Sequence, residues 1–136
     1  TPAPAAAPVV SGATRQVAGI SWSRPTNGQI FSNFGGTNKG VKFAGNAGQP
    51  VYAAADGEVK YSGSGLRGYG NLLIIQHNSQ YLTAYGNNAT IMVKEGQKVK
   101  RGQQIATMGN TDATRTQLHF EVRENGNAVD PTKFIP

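Results

Sequence analysis

The sequence predicts an all-β domain in which mostly antiparallel strands are joined as hairpins. Glycine (18 of 136 residues) and proline (7) recur between short segments rich in Val, Ile, Thr and Tyr, as expected for strands joined by tight turns. No long stretch carries apolar residues at helical spacing. The segment QLHFEVRE, residues 117–124, alternates with a period of two, which predicts a half-buried strand with a polar face.

The first residues lack the pattern of a packed core. TPAPAAAP, residues 1–8, alternates Pro and Ala, which favours extended polyproline II conformations. Trp22 and Ile30 mark the first packed element. We therefore expect a flexible linker over residues 1–19 and one domain over residues 20–136, which is long enough to bury its own core.

Turn signals divide this domain into strands. Asp56-Gly57 lies between two apolar runs and predicts a hairpin there. NLLIIQ, residues 71–76, predicts a buried strand that ends near His77, and a turn follows at Asn78-Ser79. The side chains that share one face of the next strand are then Tyr81, Thr83, Tyr85 and Asn87.

The C-terminal third continues this pattern. VKEGQKVKRGQQIATMG contains two glycine turns around short apolar segments. Asn125-Gly126 predicts the tip of the last hairpin. A single turn of helix is expected over residues 130–134.

Composition narrows the possible partners. The net charge of +6 favours an anionic partner through long-range attraction. Nucleic acid is not expected, because the basic residues are scattered and lack interleaved aromatic residues. No run of eighteen apolar residues is present, so any membrane attachment is expected through an anchor outside this sequence. The absence of cysteine excludes disulfides, thiolate zinc sites and a cysteine nucleophile.

Residue chemistry alone argues against an enzyme. A catalytic zinc needs three protein ligands from His, Asp or Glu and an open position for water, so the minimum set here would be His77 and His119 with a carboxylate. His77 follows a very apolar run, where local hydrogen bonding is its expected role. No Gly-x-Ser-x-Gly elbow is present, and paired carboxylates are scarce.

Four segments, in order along the chain, resemble the lysostaphin/LytM-type zinc endopeptidases, which cut peptide bonds in bacterial peptidoglycan. GTNKGVKFAG is similar to their His-x-Gly-x-Asp segment, and GYGNLLIIQHNSQYLTAYGNN to their central hairpin, which ends in Tyr-x-His. VKEGQKVKRGQQIATMG is similar to their Gly-Gln-x-Val hairpin, and QLHFEVRENGNAVDPTKFI to their final His-Leu-His-Phe-Glu strand. The resemblance spans about residues 24–136 and implies a β-sandwich or barrel of the LytM (duplicated hybrid) type. GLRGYGN brings the chain closer to the NlpD-type murein hydrolase activators.

Compared with this family, the chain lacks most of the zinc site. The first two zinc ligands of the family fall on Asn38 and Lys42, and only the third is kept, as His119. The histidine of Tyr-x-His falls on Asn87, and the first histidine of the last strand falls on Gln117. A lysine puts positive charge where Zn²⁺ would sit, and asparagine is a poor ligand beside imidazole. Without the two histidines that fall on Asn87 and Gln117, no imidazole is available there to stabilise an oxyanion or relay a proton. We therefore expect no catalytic residue, no bound metal and no cofactor.

The resemblance instead implies a regulatory domain that activates a peptidoglycan (N-acetylmuramoyl-L-alanine) amidase in cell-wall remodelling and daughter-cell separation. The former active-site groove would hold a segment of the amidase and displace an element that blocks the amidase's own zinc. This requires tighter binding to the open amidase than to the closed one. The implied location is the periplasmic side of the cell envelope, with an outer-membrane anchor in the full-length protein. The expected groove residues are Asn38, Lys42, Asn87, Gln117 and His119, with Arg67, Tyr69 and Asn71 at the rim.

Other interpretations remain open. An active zinc endopeptidase would need unusual ligands, and its metal content would identify it. A peptidoglycan-binding module that regulates no enzyme would bind through the basic groove. VKEGQKVKRGQQIA also resembles part of biotinyl or lipoyl carrier domains, but these are shorter chains with a modified lysine at a hairpin tip. At the rim, Gly68 and Gly70 could equally serve to shape a turn that Tyr69 covers.

Overall fold

The computed structural model describes residues 14–136, and the regular secondary structure of this part of the chain is β-strand apart from one 3₁₀ turn. Its twelve strands are β1 Arg15–Val17, β2 Ile20–Trp22, β3 Ile30–Ser32, β4 Val41–Ala44, β5 Pro50–Tyr52, β6 Gly57–Gly63, β7 Asn71–Gln76, β8 Tyr81–Ile91, β9 Lys98–Val99, β10 Gln104–Met108, β11 Gln117–Glu124 and β12 Asn127–Val129. A 3₁₀ turn over Pro131–Lys133 follows. The prediction of an all-β domain is confirmed.

Every strand pair is antiparallel. The main sheet has the order β3-β4-β11-β8-β7-β6-β9. Strand β8, the longest, pairs with β7 and β11 along its first part and with β10 near its end, so it connects the main sheet to the β5–β10 pair. The core lies on the face that carries Phe43, Leu73, Tyr85 and Phe120.

Two of the predicted hairpins are present at the predicted turns. Strands β7 and β8 flank the Asn78-Ser79 turn, where the side chain of Asn78 accepts hydrogen bonds from the N–H groups of Gln80 and Tyr81. Strands β11 and β12 flank Asn125-Gly126, where φ is 52° and 85°. Two consecutive positive φ angles are typical of the tightest hairpin turn, and Asn-Gly adopts them at low cost.

The hairpin predicted at Asp56-Gly57 is wrong. Strand β5 pairs with β10, whereas β6 pairs with β7 and β9. The intervening residues Ala53, Ala54 and Ala55 are fully buried and carry the chain from one strand pair to the other. Their small methyl side chains fit a crossover through the core. Buried backbone groups there need hydrogen-bond partners, and the N–H of Ala54 donates to the hydroxyl of Tyr85 at 3.0 Å.

His77 is held by local hydrogen bonds, as predicted. Its Nδ1 lies 2.6 Å from the carbonyl oxygen of Asp56, and its Nε2 lies 2.9 Å from Oγ1 of Thr83. Burial lowers the pKa of His77 below its ordinary value, because an imidazolium loses hydration in this position. The ring also packs edge-on against Trp22, at 5.3 Å between centroids.

Paired structure begins before residue 20. Strand β1 pairs with β2, and Arg15 Nη1 donates to the carbonyl oxygen of Thr132 at 3.1 Å. Residues 1–13 of the predicted linker lie outside the described residues. Within residues 14–136, no helix is long and apolar enough to span a membrane.

Candidate partner-binding groove

Strand β11 is buried on both faces, so the expectation of a half-buried strand is wrong. Its apolar face, with Leu118 and Phe120, joins the core. On its polar face, Gln117, His119 and Glu121 are also buried. The cover is the β6–β7 loop, residues 64–70, whose Tyr69 hydroxyl donates to Oε2 of Glu121 at 2.6 Å.

An open cavity of about 410 Å³ lies beside this polar face, and we call it the groove. The strand register explains its composition. Lys42 on β4 is directly opposite His119 on β11, and Gly86 on β8 is opposite His119 on the other side. The lining residues are Ser32, Thr37, Asn38, Lys39, Lys42, Gly68, Tyr69, Asn87, His119 and Glu121. A larger hollow of about 620 Å³ lies around Asp56, His77 and Lys98, away from every position matched to the family's site.

The structure brings four of the five predicted groove residues to the groove lining: Asn38, Lys42, Asn87 and His119. The fifth, Gln117, lies behind it, and its Nε2 donates to Oδ1 of Asn87 at 2.9 Å. Of the predicted rim residues, Tyr69 lines the groove. Arg67 is exposed and outside the lining. The side chain of Asn71 donates to the carbonyl oxygens of Asn88 and Ala89 at 3.0 and 3.2 Å, and is likewise outside it.

The side chain of Asn38 is fully used within its own loop. Its Nδ2 donates to Oγ of Ser32 at 2.9 Å and to the carbonyl oxygen of Asn33 at 2.8 Å. Its Oδ1 accepts from the N–H of Gly40 at 3.2 Å. Asn38 therefore fixes the turn that leads into β4, in the manner of Asn side chains that bond to nearby backbone groups.

Asn87 connects β8 to both loops that flank the groove. Its N–H donates to the carbonyl oxygen of Tyr69 at 2.6 Å, and its Nδ2 donates to that of Thr111 at 2.8 Å. The backbone of Asn87 has φ of 65°, a conformation that asparagine tolerates better than most residues. The β6–β7 loop and the loop over residues 110–116 are further joined by a hydrogen bond from the N–H of Gly68 to Asp112.

The rim glycines shape this junction. Gly70 has φ of 59°, and a Cβ there would clash with the backbone of Thr111. Gly68, with φ of 90°, also occupies the left-handed region that glycine enters at least cost. The interpretation that these glycines shape a turn covered by Tyr69 therefore agrees with the geometry.

Glu121 is the residue that the sequence prediction missed. Its Oε2 accepts from Tyr69 and from Nε2 of His119, at 2.6 and 2.8 Å. Its Oε1 accepts from Nε and Nη2 of Arg123, at 2.9 and 2.8 Å. Burial acts to raise the pKa of this carboxyl, but the hydrogen bonds from His119, Tyr69 and Arg123 outweigh it and lower the pKa to about 2. The available signal was the i, i+2 spacing of His119, Glu121 and Arg123 on one strand face.

Residues 36–131 match the model of peptidase family M23. The chain belongs to peptidase family M23.

Curated relatives in M23 are close in sequence and longer than this chain. The murein hydrolase activator NlpD of Salmonella dublin is 50% identical over 144 residues, which cover 98% of this chain and 38% of that protein. The lipoprotein NlpD/LppB homolog of Pseudomonas aeruginosa is 52% identical over 132 residues, covering 93% of this chain and 44% of that protein. The chain thus spans less than half the length of these relatives. Their names describe an activator and a lipoprotein, and the recognised resemblance to NlpD-type activators is confirmed.

Solved structures confirm the LytM-type fold. A zinc-containing peptidase from Vibrio cholerae superposes with a TM-score of 0.79 and 37% identity, covering 85% of this chain and 40% of that one. The catalytic domain of the antimicrobial peptidase lysostaphin from Staphylococcus simulans gives a TM-score of 0.68 and 30% identity, covering 82% and 86%.

The residues of the groove do not fit a zinc ion such as the one for which the Vibrio cholerae peptidase is named. His119 offers one nitrogen, but Lys42 brings an ammonium beside it, and the oxygen and nitrogen of the Asn38 amide are used within its loop. Both oxygens of Glu121 already accept from charged or phenolic donors. Across residues 14–136, no group of three or more His, Cys, Asp or Glu side chains is placed to hold a metal ion. Catalytic zinc sites need three such ligands.

Proposed function

We propose that this M23 domain is a non-catalytic regulator that activates a peptidoglycan amidase during cell-wall remodelling and daughter-cell separation. The observation that carries the proposal is the set of polar, non-metal-binding side chains in the groove. By the resemblance, Asn38 and Lys42 take the positions of the family's first two zinc ligands. Asn87 accepts a hydrogen bond from Gln117 and donates one to the loop over residues 110–116. A preformed polar groove without metal chemistry is suited to binding a partner segment.

The relatives support the same role. The Salmonella relative is named a murein hydrolase activator, and the Pseudomonas relative a lipoprotein. We extend both to this chain: the partner is an N-acetylmuramoyl-L-alanine amidase, and the full-length protein is anchored in the outer membrane and faces the periplasm. Binding the amidase in its open form would shift that enzyme towards activity.

Lys42 provides the direct test. Lys42→Glu reverses the charge of a half-buried residue in the groove lining that contributes no side chain to the core. A hydrogen bond to a charged group contributes roughly 1.5–3 kcal/mol, so we expect at least a tenfold loss of apparent affinity, about 1.4 kcal/mol. The readout is amidase-dependent release of dye from labelled sacculi as the domain is titrated.

Lys94→Glu is the matched control, because Lys94 is exposed and outside the groove lining. Lys60 is less suitable, since its ammonium lies 3.6 Å from Oε2 of Glu58. If the two substitutions reduce activation equally, the groove is not the contact surface. If the wild-type domain binds sacculi but leaves the amidase inactive, the alternative of a peptidoglycan-binding module takes precedence, which the net charge of +6 would favour.

A further inference from the structure

The two ring nitrogens of His119 have different surroundings. Nε2 lies 2.8 Å from Oε2 of Glu121. Nδ1 is buried and has no hydrogen-bond partner among the described residues. The residue as a whole is 9% exposed and lines the groove. A buried polar atom without a partner is uncommon in folded proteins and asks for an explanation.

Glu121 determines which nitrogen of His119 carries the proton. Oε2 of Glu121 also accepts from the Tyr69 hydroxyl, and Oε1 accepts from the Arg123 guanidinium, so both oxygens of this carboxylate act as acceptors. Nε2 must therefore be the protonated nitrogen, with its N–H donating to Glu121. In the neutral imidazole this leaves Nδ1 as a lone-pair acceptor. Because an unsatisfied buried acceptor is destabilising, a donor that reaches Nδ1 gains affinity.

Lys42 supplies a donor beside this acceptor. The two residues are direct partners in the β4–β11 register, so their side chains leave the sheet next to each other on the same face. The Lys42 ammonium has donors and no acceptor. Glu121, the one carboxylate in the groove lining, does not compete for an incoming group, because Arg123 pairs with its Oε1.

We propose that the groove recognises an amide group of its partner. The amide carbonyl oxygen accepts from the Lys42 ammonium, and the amide N–H donates to Nδ1 of His119. A carboxylate would satisfy Lys42 but would place a second acceptor against the Nδ1 lone pair. The amide is either a backbone peptide unit or an Asn or Gln side chain. The inference rests on the proposed function only for the identity of the partner as an amidase.

Tyr69 lines the groove next to His119. Its ring is edge-on to the imidazole, with 5.5 Å between centroids, and its hydroxyl shares Oε2 of Glu121 with His119. Because Nδ1 is buried, a neighbouring side chain must move before an amide reaches it, and Tyr69 is the candidate because its ring contacts the imidazole. The hydrogen bond from Nε2 of His119 to Glu121 keeps the tautomer of His119 fixed before and after binding.

The two histidines make the inference directly measurable. We would record ¹⁵N spectra of the imidazole nitrogens of the whole chain during titration with acetamide, N-methylacetamide or acetate at equal concentrations. Nδ1 of His119 should be unprotonated in the free chain and should shift as a hydrogen-bond acceptor with the amides and not with acetate. His77 is the internal control, because both of its nitrogens already have partners.

The outcomes distinguish a backbone amide from a side-chain amide, and an amide from a carboxylate. A larger shift with N-methylacetamide supports a backbone peptide unit, and a larger shift with acetamide supports an Asn or Gln side chain. A protonated Nδ1 in the free chain, or a shift with acetate alone, overturns the inference.

A second titration uses a purified cell-wall amidase. We expect the same shift of Nδ1, and about a tenfold weaker affinity for His119→Phe, which keeps a ring but removes the acceptor. If the amidase is activated while Nδ1 of the wild-type chain does not respond, the amide inference fails and the proposed function stands. If the amides shift Nδ1 but no amidase binds or is activated, the proposed function fails and the amide site stands.

Discussion

Glu121 shows how much one buried side chain contributes to the groove. Through hydrogen bonds to its two carboxylate oxygens, it fixes the tautomer of His119, the position of the Tyr69 ring and the guanidinium group of Arg123. Removing one member of a buried charged cluster leaves its partners uncompensated. Glu121→Gln should therefore lower the free energy of unfolding by about 3 kcal/mol, as measured by urea denaturation at neutral pH.

The same residue predicts a dependence of stability on pH. The folded-state pKa of Glu121 is lowered to about 2 from an ordinary value of 4.5, so its stabilisation is fully present above about 4.5. That stabilisation should be lost as the pH falls from 4.5 towards 2, because the unfolded state then binds the proton first. Glu121→Gln should show a shallower fall across this window. An identical fall in the variant would mean that other carboxylates cause the acid sensitivity.

Two substitutions should restore a metal site. Lys42 already faces His119 across β4 and β11, so Asn38→His with Lys42→Asp supplies, together with His119, the three ligands that the family resemblance implies. We expect wild-type protein to retain no stoichiometric zinc after dialysis and the double variant to retain about one ion per chain, as tight sites do. Elemental analysis provides the measurement.

Lys42→Asp alone is the control for this prediction, since two ligands bind zinc weakly. If the double variant stays metal-free, the loop that Asn38 fixes through Ser32 and Asn33 has moved position 38 out of ligand range.

At the scale of elements, Asn87 is expected to keep two loops in place. Asn87→Ala removes the side-chain hydrogen bonds to Thr111 and Gln117 and also puts alanine at a φ of 65°. Asn87→Gly removes the same hydrogen bonds but avoids the backbone strain of alanine at this positive φ, a strain of roughly 1–2 kcal/mol. Hydrogen exchange should accelerate in residues 64–70 and 110–116 to the same extent in both variants, whereas Asn87→Ala should be the less stable. Unchanged exchange in both would show that backbone contacts alone hold the loops.

Elements with a local turn signal were predictable, and those that depend on distant pairing were not. Asn125-Gly126 dictates its hairpin because two positive φ angles suffice. Asp56-Gly57 carries a similar signal, but no hairpin forms there, because β5 pairs with β10, some fifty residues further along the chain. The burial of Ala53–Ala55 in the core overrides the local preference for a hairpin turn. Periodicity likewise assigned the faces of β11 correctly, but it could not show that a loop from elsewhere covers the polar face.

The candidate site was predictable to the extent that it depends on position. Family resemblance places Asn38, Lys42, Asn87 and His119 together, and they do line one groove. It could not show that Gln117 bonds to Asn87 from behind, or that Asn71 bonds to the β8 backbone. Hydrogen-bond partners depend on side-chain rotamers, which a matched motif does not specify.

At the scale of the whole molecule, the N-terminal hairpin β1–β2 is packed onto the end of the domain. Trp22 is fully buried against Tyr81 and Phe134, and its Nε1 donates to the carbonyl oxygen of Val17 at 3.1 Å. A chain that starts at residue 20 loses this acceptor and the whole of β1. We expect it to be less stable than a chain that starts at residue 14 by about 1–2 kcal/mol, as measured by urea denaturation. Equal stabilities would place the domain boundary at residue 20, as the sequence predicts.

The packing of Trp22 also has a spectroscopic consequence. The chain contains a single tryptophan, so its tryptophan emission has one source. That source contacts the ring of His77 at the hairpin end of the domain and is absent from the groove lining. The emission of Trp22 therefore reports whether the N-terminal hairpin is docked and is insensitive to what occupies the groove. Folding can accordingly be followed through Trp22 without an added label and without interference from groove occupancy.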